Sequence, residues 1–205
     1  MSRSPLHLAV ETSSRRGMIA LGRGEDLLGV AELPAARRHN LDLIPAMDAL
    51  LGGHGFGPAD LGELYVSLGP GSFTGLRIAV ATAKMLAMTL GVKLVGVPTL
   101  QVLTTQHPGA MVCLHVKRGT AWCASPANGY APAFRTVEEV NGTGLPLVAD
   151  TLPEAAAAEP DVGVLRELGR AAAAENRYDD PLASLPLYLR EPEAVTLWDQ
   201  LHPQD

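Results

Sequence analysis

The stretch SLGPGSFTGLRIAVATAK, from Ser67 to Lys84, decides how the rest of the chain is interpreted. A short apolar run ends in a glycine-rich turn, and the turn opens directly into a pattern of helical period. A Walker A loop needs Lys and then Ser or Thr after its last glycine, whereas Gly75 is followed by Leu76 and Arg77. Pro70 also removes one backbone N–H donor from the turn. The stretch is therefore not a phosphate loop of that type, and it contains no G-x-G-x-x-G.

The turn and a second polar cluster each allow two interpretations. The N-terminus of a helix attracts anions, so Ser72 and Thr74 could touch a phosphate; alternatively, one of them only caps the helix, which the spacing favours. Glu11, Thr12 and Ser13 follow an apolar run, where a carboxylate could hold a hydrated metal near a phosphate. They could instead fix a turn through side-chain hydrogen bonds, which is the favoured interpretation. Together the five residues are the candidates for a degenerate nucleotide or anion site.

The helix predicted over Thr74–Leu90 is apolar around most of its circumference. At about 100° per residue, one stripe carries Arg77, Ala81, Lys84 and Met88, and most other positions carry Ile, Val, Ala, Met or Leu. Such a helix is buried on more than one side, either in its own core or against a partner chain. The candidate docking residues, on this helix and on the one predicted over Leu41–Leu51, are Leu43, Met47, Leu50, Leu51, Arg77, Ile78, Ala81, Lys84, Met85 and Met88.

The order of the remaining patterns in the first half predicts an α/β fold. The predicted strands are Leu6–Glu11, Arg16–Leu21, Leu27–Leu33, Leu64–Leu68 and Leu94–Val97. The first three follow one another closely and predict an antiparallel meander. The last two alternate with the two helices above and with a third helix that begins after Pro98, which predicts parallel pairing through right-handed crossovers. A meander joined to such units is typical of ribonuclease H-like folds.

The pattern changes near residue 108, where we place a boundary between two domains. Residues 1–108 form the first domain, and residues 109–205 form a smaller second domain that is a reduced half. The elements predicted in it are a hairpin of Ala110–Val116 and Thr120–Ala124, a helix over Val162–Asn176 and an irregular tail from Tyr178. Residues 125–160 are rich in Pro, Gly and Ala and give only weak signals.

Composition excludes several classes of function. The chain has 205 residues, a net charge of −6 and a pI of about 5.5, so it is poorly suited to hold a polyanion alone. Cys113 and Cys123 fit no zinc or redox spacing, and two free thiols favour a reducing cytoplasm. The six histidines contain no i, i+4 pair, so no metal site is predicted. No signal peptide and no membrane span is recognised, and a cytoplasmic location is expected.

Five segments resemble one family. Leu68–Lys84, read as LGPGSFTGLRIAVATAK, strongly resembles the signature of the TsaB family, also called YeaZ. The others agree in order: LAVETS (Leu8–Ser13), RHNLDLIPAMDALL (Arg38–Leu51), LVGVPTLQVL (Leu94–Leu103) and PLYLREPEA (Pro186–Ala194). The resemblance spans nearly the whole chain, and its first motif is the most specific.

The resemblance implies a fold and a role. The fold is of the ASKHA class, that of actin and sugar kinases, with two ribonuclease H-like halves. The role is that of a non-catalytic subunit that binds the paralogous transferase TsaD through the two helices above and is joined by the ATPase TsaE. Such complexes transfer threonylcarbamoyl to the adenosine beside the anticodon of ANN-decoding tRNAs, so tRNA is expected to be met through the complex. No cofactor is implied, and in isolation the docking surface is expected to drive homodimerisation.

The sequence also departs from the patterns of this family and of its paralog. The catalytic paralog carries a metal-binding H-x-x-x-H, whereas His39 is followed four residues later by Leu43, which favours a scaffold role. Glu11 stands where the family usually has Asp, and Val116–Gly119 replaces the frequent D-x-R-x-G. Both changes weaken a nucleotide site. The alternative hypothesis is a stand-alone ATP-dependent kinase-like enzyme or a hydrolase of the same fold, which the fold class and Glu11–Ser13 support.

Overall fold

The first sheet is built around the first strand of the sequence. The computed structural model describes residues 4–33 and 39–189. Within them, β1 (Leu6–Glu11) is buried at every position and lies at the centre of the sheet. The other strands are β2 (Met18–Arg23), β3 (Asp26–Glu32), β4 (Leu61–Gly69) and β5 (Lys93–Pro98). The order is β3-β2-β1-β4-β5. The predicted antiparallel meander of β1 to β3 and the parallel pairing of β1, β4 and β5 are confirmed.

Helices cover both faces of this sheet. The helices of the described residues are α1 (His39–Gly53), α2 (Phe73–Leu90), α3 (Thr99–Gln106), α4 (Val137–Gly142) and α5 (Val162–Ala174), of which α4 packs on a second sheet and not on this one. α1 and α2 pack on the face to which Leu8 and Val10 point, while α5 packs on the opposite face with Ala9. Successive side chains of a strand point to opposite faces, so the wholly apolar run of β1 suits a strand that is covered on both sides.

A second five-stranded sheet follows. Its strands are β6 (Met111–Lys117), β7 (Thr120–Ser125), β8 (Tyr130–Thr136), β9 (Leu147–Ala149) and β10 (Ala156–Ala157), in the order β10-β9-β6-β7-β8. The predicted hairpin is β6 and β7. β8, α4, β9 and β10 lie in the stretch of weak signals, and β9 and β10, with three and two residues, are too short to show a periodicity. α3 lies between the sheets, since Leu103 packs with the second sheet and Val102 with α5.

Cys113 and Cys123 occupy directly opposite positions on β6 and β7. Both thiols are free and fully buried. The two side chains therefore act as small apolar residues in the core on the side of the second sheet away from α3.

α2 begins and ends at recognisable caps. The hydroxyl of Ser72 accepts a hydrogen bond from the N–H of Gly75, and Gly91 terminates the helix in the left-handed region at φ 70°. Among the described residues, α2 alone is long and apolar enough to cross a membrane by length and composition, a test that core helices also pass. Its inner face, which includes Ala79 and Ala83, belongs to the core of the first sheet.

The chain returns to the first sheet after α5. Residues 178–189, here called the C-terminal segment, have an irregular path as predicted, apart from one bridge between Asp179 and Leu94 of β5. The N–H of Leu187 donates to the carbonyl oxygen of Leu68 at 2.7 Å. The segment is thus attached to β4 and β5, although its contact residues in these strands lie more than eighty positions earlier in the chain.

Candidate functional site

The strand-end site consists of the five residues with which the sequence predicted a nucleotide or anion site: Glu11, Thr12, Ser13, Ser72 and Thr74. β1 ends beside the glycine turn, so the structure brings the first four together. The N–H of Ser72 donates to the carbonyl oxygen of Ser13 at 2.6 Å. Thr12 Oγ1 donates to the carbonyl oxygen of Gly75 at 3.0 Å. Thr74 lies exposed on the first turn of α2.

Glu11 provides a fully buried carboxyl group at this site. Its Oε1 accepts the N–H of Ser13 at 2.6 Å, whereas Oε2 has no hydrogen-bond partner in the described part of the chain. Burial raises the pKa of Glu11 to about 7, and the nearby polar groups of Ser13 and Ser67 offset part of that rise. Ser67 in turn hydrogen-bonds with Thr99 at the start of α3, with 2.7 Å between the two hydroxyl oxygens. The carboxyl group of Glu11 therefore keeps its proton to a higher pH than that of an exposed glutamic acid.

The glycine turn is closed against the end of β1. A Cβ on Gly71 would lie 2.2 Å from the carbonyl oxygen of Ser13, and one on Gly75 would lie 2.1 Å from that of Thr12. Only glycine permits these approaches. The N–H groups of Ser72 and Gly75 are already used, the latter by the capping hydroxyl of Ser72 at 3.3 Å. The interpretation of Ser72 as a cap is confirmed, and the N–H groups of Ser72 and Gly75 are not available to a phosphate.

The described residues provide no group of three or more His, Cys, Asp or Glu side chains able to hold a metal ion. The hydroxyl of Ser13 is buried and, like Glu11 Oε2, has no partner within that part of the chain. The arrangement can exchange a proton at Glu11, but the hydroxyl of Thr12 and the N–H of Ser72 are engaged in joining the turn to β1.

The candidate docking residues of α1 face the core. Leu43, Met47 and Leu51 are between 1% and 4% exposed and pack against the first sheet. Leu50 is partly buried against the same cluster, and Ile44 is the large apolar side chain that α1 leaves about half exposed. Residues spaced by four lie on one helix face, and this face covers the sheet. As the chain stands, Leu43, Met47 and Leu51 therefore offer no surface to a partner.

The candidate docking residues of α2 lie mainly on its outer face. Ala81, Met85 and Met88, here called the outer stripe, are exposed, with Met85 at 44% and Met88 at 62%. Their spacing of four and three places them on one face, at about 100° per residue. Ile78 lies beside the stripe and is partly buried against the core of the first sheet. α2 thus has a buried inner face and an apolar outer face that is open.

The two cations predicted to meet a partner contact the chain itself. Arg77 Nε donates to the hydroxyl of Tyr188 at 2.8 Å. Lys84 Nζ donates to the carbonyl oxygens of Leu182 at 3.2 Å and Ser184 at 3.0 Å. Both side chains therefore attach the C-terminal segment to α2.

Sequence reasoning assigned no role to the C-terminal segment. The structure leaves its apolar side chains open, with Leu182 68%, Leu185 67%, Leu187 40% and Tyr188 45% exposed. Together with Leu68 the segment lines a groove of about 510 Å³. The run LASLPLY at residues 182–188 has three leucines, a tyrosine and no charge, and this was the available signal.

Comparison with known proteins identifies the family. The sequence model of the family described as "TsaD: tRNA N6-adenosine threonylcarbamoyltransferase" matches residues 26–143, which is more than half of the chain. An uncharacterised protein of Mycobacterium tuberculosis is 33% identical over 199 residues, covering 93% of this chain and 94% of that protein. The tRNA threonylcarbamoyladenosine biosynthesis protein TsaB of Bacillus subtilis is 35% identical over 96 residues, covering 47% of this chain and 42% of that protein. The chain belongs to the TsaB (YeaZ) family.

A solved structure shares the fold of this TsaB-family chain. It is described as an uncharacterised protein with similarity to peptidase YeaZ, from Pseudomonas aeruginosa. The TM-score is 0.73 at 22% identity, and the alignment covers 91% of this chain and all of that chain. At this level of identity the likeness concerns the fold alone.

Leu43 is the position at which this TsaB-family chain differs from the metal-binding H-x-x-x-H pattern expected of its catalytic paralog. Leu43 stands four residues after His39, where the H-x-x-x-H pattern needs its second histidine. The Leu43 side chain is 1% exposed and belongs to the core of the first sheet. The position therefore contributes to packing instead of metal binding.

Proposed function

We propose that the chain is a non-catalytic subunit of the assembly that transfers threonylcarbamoyl to the adenosine beside the anticodon of ANN-decoding tRNAs. In this proposal a TsaD-like transferase subunit docks on the outer stripe of α2, a TsaE-like ATPase joins the pair, and tRNA is met through the complex. The TsaB-named relatives support the pathway, and the cytoplasm is the compartment that the free thiols suit.

The single observation that carries the proposal is the outer stripe. Core packing accounts for the inner face of α2, which includes Ala79 and Ala83. It does not account for Ala81, Met85 and Met88, which are apolar and open to solvent. Contiguous exposed apolar surface on a soluble protein marks an interaction site, and methionine side chains adapt well to a partner helix.

Two features, one at the strand-end site and one on α1, support an accessory role. The glycine turn is closed against β1, with Ser72 and Gly75 N–H groups already engaged. Leu43 takes the place of the second metal-binding histidine expected in the paralog. A subunit with neither a phosphate cradle nor that metal pair is suited to supporting chemistry elsewhere in the complex.

The proposed architecture is an ASKHA fold with two ribonuclease H-like halves, residues 1–108 and 109–205, the second being reduced. It is supported by the strand orders, because each sheet has its first three strands as a meander and its fourth beside its first. The second half is reduced at the connection from β9 to β10, which has no helix. α5 belongs by sequence to the second half but packs on the first sheet.

The test is to place a charge in the outer stripe. Ala81→Arg should abolish co-purification with the TsaD-like subunit, because an arginine buried without a partner in an apolar interface costs several kcal/mol. The matched control is Ala171→Arg, since Ala171 is also an exposed alanine within a helix but lies on α5. The control should bind as the unmodified chain does, and both variants should keep the same thermal unfolding midpoint. Unchanged binding of Ala81→Arg would refute the proposal.

Two further measurements separate the proposal from its alternatives. Sedimentation of the isolated chain should show a homodimer that Ala81→Arg converts to a monomer, because the same apolar stripe is open in the absence of the transferase. Titration calorimetry with magnesium ATP should show no binding by the isolated chain. Micromolar affinity that is lost in Glu11→Gln would instead favour a kinase-like enzyme at the strand-end site.

A further inference from the structure

The C-terminal segment has an unusual distribution of contacts. Its backbone is attached to the first sheet, since Asp179 N–H donates to the carbonyl oxygen of Leu94 at 2.8 Å and Leu187 N–H donates to that of Leu68 at 2.7 Å. Its side chains are not used in the same way. Leu182 and Leu185 are about two-thirds exposed, although leucine gains roughly 2 kcal/mol when it is fully buried. Tyr178 packs against the core of the first sheet, but residues 182–188 are held in place without full burial of their apolar side chains.

Arg77 and Lys84 hold this segment beside the outer stripe. Arg77 donates to the hydroxyl of Tyr188, and its guanidinium carbon lies 3.8 Å from the centroid of the Phe73 ring. The rings of Phe73 and Tyr188 are 5.5 Å apart, so the cation and the two rings form one cluster. Lys84 binds two carbonyl oxygens of the segment. Since Arg77 and Lys84 are four residues before and three residues after Ala81, the segment runs along one side of the stripe.

The outer stripe is too small to form an interface alone. A stable interface buries roughly 800 Å² on each partner and involves about 20–30 residues a side, whereas the stripe has three exposed residues. The other side of the stripe is occupied by partly buried residues such as Ile78 and Leu86. On the side of Arg77 and Lys84, residues 182–188 add four exposed apolar side chains and no charge. The cores of interfaces are depleted in charged residues in the same way.

We propose that residues 182–188 are the second half of the docking surface, and that one partner covers them together with the outer stripe. The partner is the TsaD-like subunit, so this inference rests on the proposed function. Arg77 and Lys84 are positioning residues in this arrangement. They do not contact the partner but fix the segment so that Leu182 and Leu185 continue the apolar surface of α2.

The test compares charged substitutions at leucines of similar exposure. The double variant Leu182→Asp/Leu185→Asp should bind the purified TsaD-like subunit at least about tenfold more weakly in titration calorimetry, as expected for central apolar residues of an interface. Its unfolding midpoint should stay unchanged, because both side chains are mostly exposed. The control is Leu27→Asp on β3, at 51% exposure, which should bind normally.

A second pair of variants tests the positioning role. Lys84→Ala should weaken binding and accelerate amide hydrogen exchange at Leu187, whereas Lys84→Arg should restore both, because a guanidinium can also donate to the two carbonyl oxygens. Binding of the partner to the unmodified chain should slow exchange across residues 182–189. Weaker binding of Lys84→Ala with unchanged exchange at Leu187 would show that Lys84 contacts the partner directly, which overturns this role.

The outcomes distinguish the inference from the function on which it rests. If Ala81→Arg abolishes binding but Leu182→Asp/Leu185→Asp binds normally, the inference is wrong and the proposed function stands. If the unmodified chain does not bind the TsaD-like subunit, both are wrong. If the double variant loses only self-association, the segment is covered by a second copy of this chain and the inference is overturned.

Discussion

At the scale of single residues, Glu11 combines full burial with a carboxyl oxygen that has no hydrogen-bond partner among residues 4–33 and 39–189. A buried carboxylate without full hydrogen bonding is unfavourable, so the carboxyl group keeps its proton to a higher pH than it does in water. The pKa of Glu11 is accordingly raised from 4.5 to about 7. Between these values the folded chain binds more protons at this position than the unfolded chain. The free energy of unfolding therefore decreases as pH rises from about 4.5 to 7.

Glu11→Gln should remove this pH dependence. The amide cannot ionise, so above pH 7 the variant should be more stable than the unmodified chain by an amount on the order of 3 kcal/mol, and below pH 4.5 the difference should vanish. Urea unfolding at several values between pH 4.5 and 8 measures this difference. A difference that stays constant across the range would mean that Glu11 ionises normally in the folded chain.

His7 is a second buried group, and its contribution to the free energy of unfolding changes with pH in the opposite direction. This contribution must be separated from that of Glu11. Burial and the charge of Arg166 lower the pKa of His7 to about 4, and His7 Nε2 accepts a hydrogen bond from Arg166 Nε at 2.9 Å. Unfolded histidine binds a proton below about pH 6.5, so His7 contributes stability that is lost as pH falls from 6.5 to 4. Comparison of Glu11→Gln with the unmodified chain at each pH cancels the contribution of His7.

At the scale of elements, α5 approaches the first sheet especially closely at Gly169. A Cβ on Gly169 would lie 2.3 Å from Cγ of the buried Tyr65 ring, so only glycine lets the helix approach β4 this closely. Gly52, in the last turn of α1, has open space where its Cβ would be. The two glycines occur in the same kind of element but in different packing environments.

Replacing each of these glycines with alanine should therefore change stability in opposite directions. Gly52→Ala should raise the free energy of unfolding by roughly 0.5–1 kcal/mol, because glycine loses more backbone entropy than alanine in a helix. Gly169→Ala should lower it by about 1–3 kcal/mol, because the clash with Tyr65 exceeds that gain. Chemical denaturation of both variants measures the two changes. Stabilisation by Gly169→Ala would show that α5 can move away from β4 without cost.

The helices also show which part of the structure periodicity can predict. Both bounds of α2 and the start of α3 were predicted to within one residue, because caps and an apolar period are local properties. Periodicity was less successful in predicting which face of a helix is buried. α1 has apolar side chains on more than one side, and only packing decides that Leu43 and Met47 cover the sheet while Ile44 stays open. The sequence could not rank these faces, because both are apolar.

At the scale of the whole molecule, the proposed boundary at residue 108 crosses the core of the first sheet. Val162 and Leu165 of α5 pack with Ala9, Tyr65 and Val95 of that sheet. Full burial of side chains of this size contributes roughly 2 kcal/mol each, which is a large fraction of a total stability of about 5–15 kcal/mol.

The fragment 1–108 should therefore not fold alone. Produced by itself, it should aggregate or bind a hydrophobic dye, because the α5 face of the sheet would be open to water. Co-expression with residues 109–205 should restore a soluble complex with the melting behaviour of the whole chain. A soluble, monomeric fragment with a cooperative thermal transition would show that the first domain is independent of α5.

The sequence by itself determined the order of the elements in the first half, the meander and its parallel neighbours, and the glycine turn at Gly69–Gly75. These follow from side-chain period and from backbone restrictions, which act over a few residues. Only the tertiary structure decided that α5 covers the first sheet, that Glu11 Oε2 finds no hydrogen-bond partner among the described residues, and that residues 182–188 lie beside α2. Each of these features depends on contacts between residues that are far apart in the chain. A local sequence pattern does not specify such contacts.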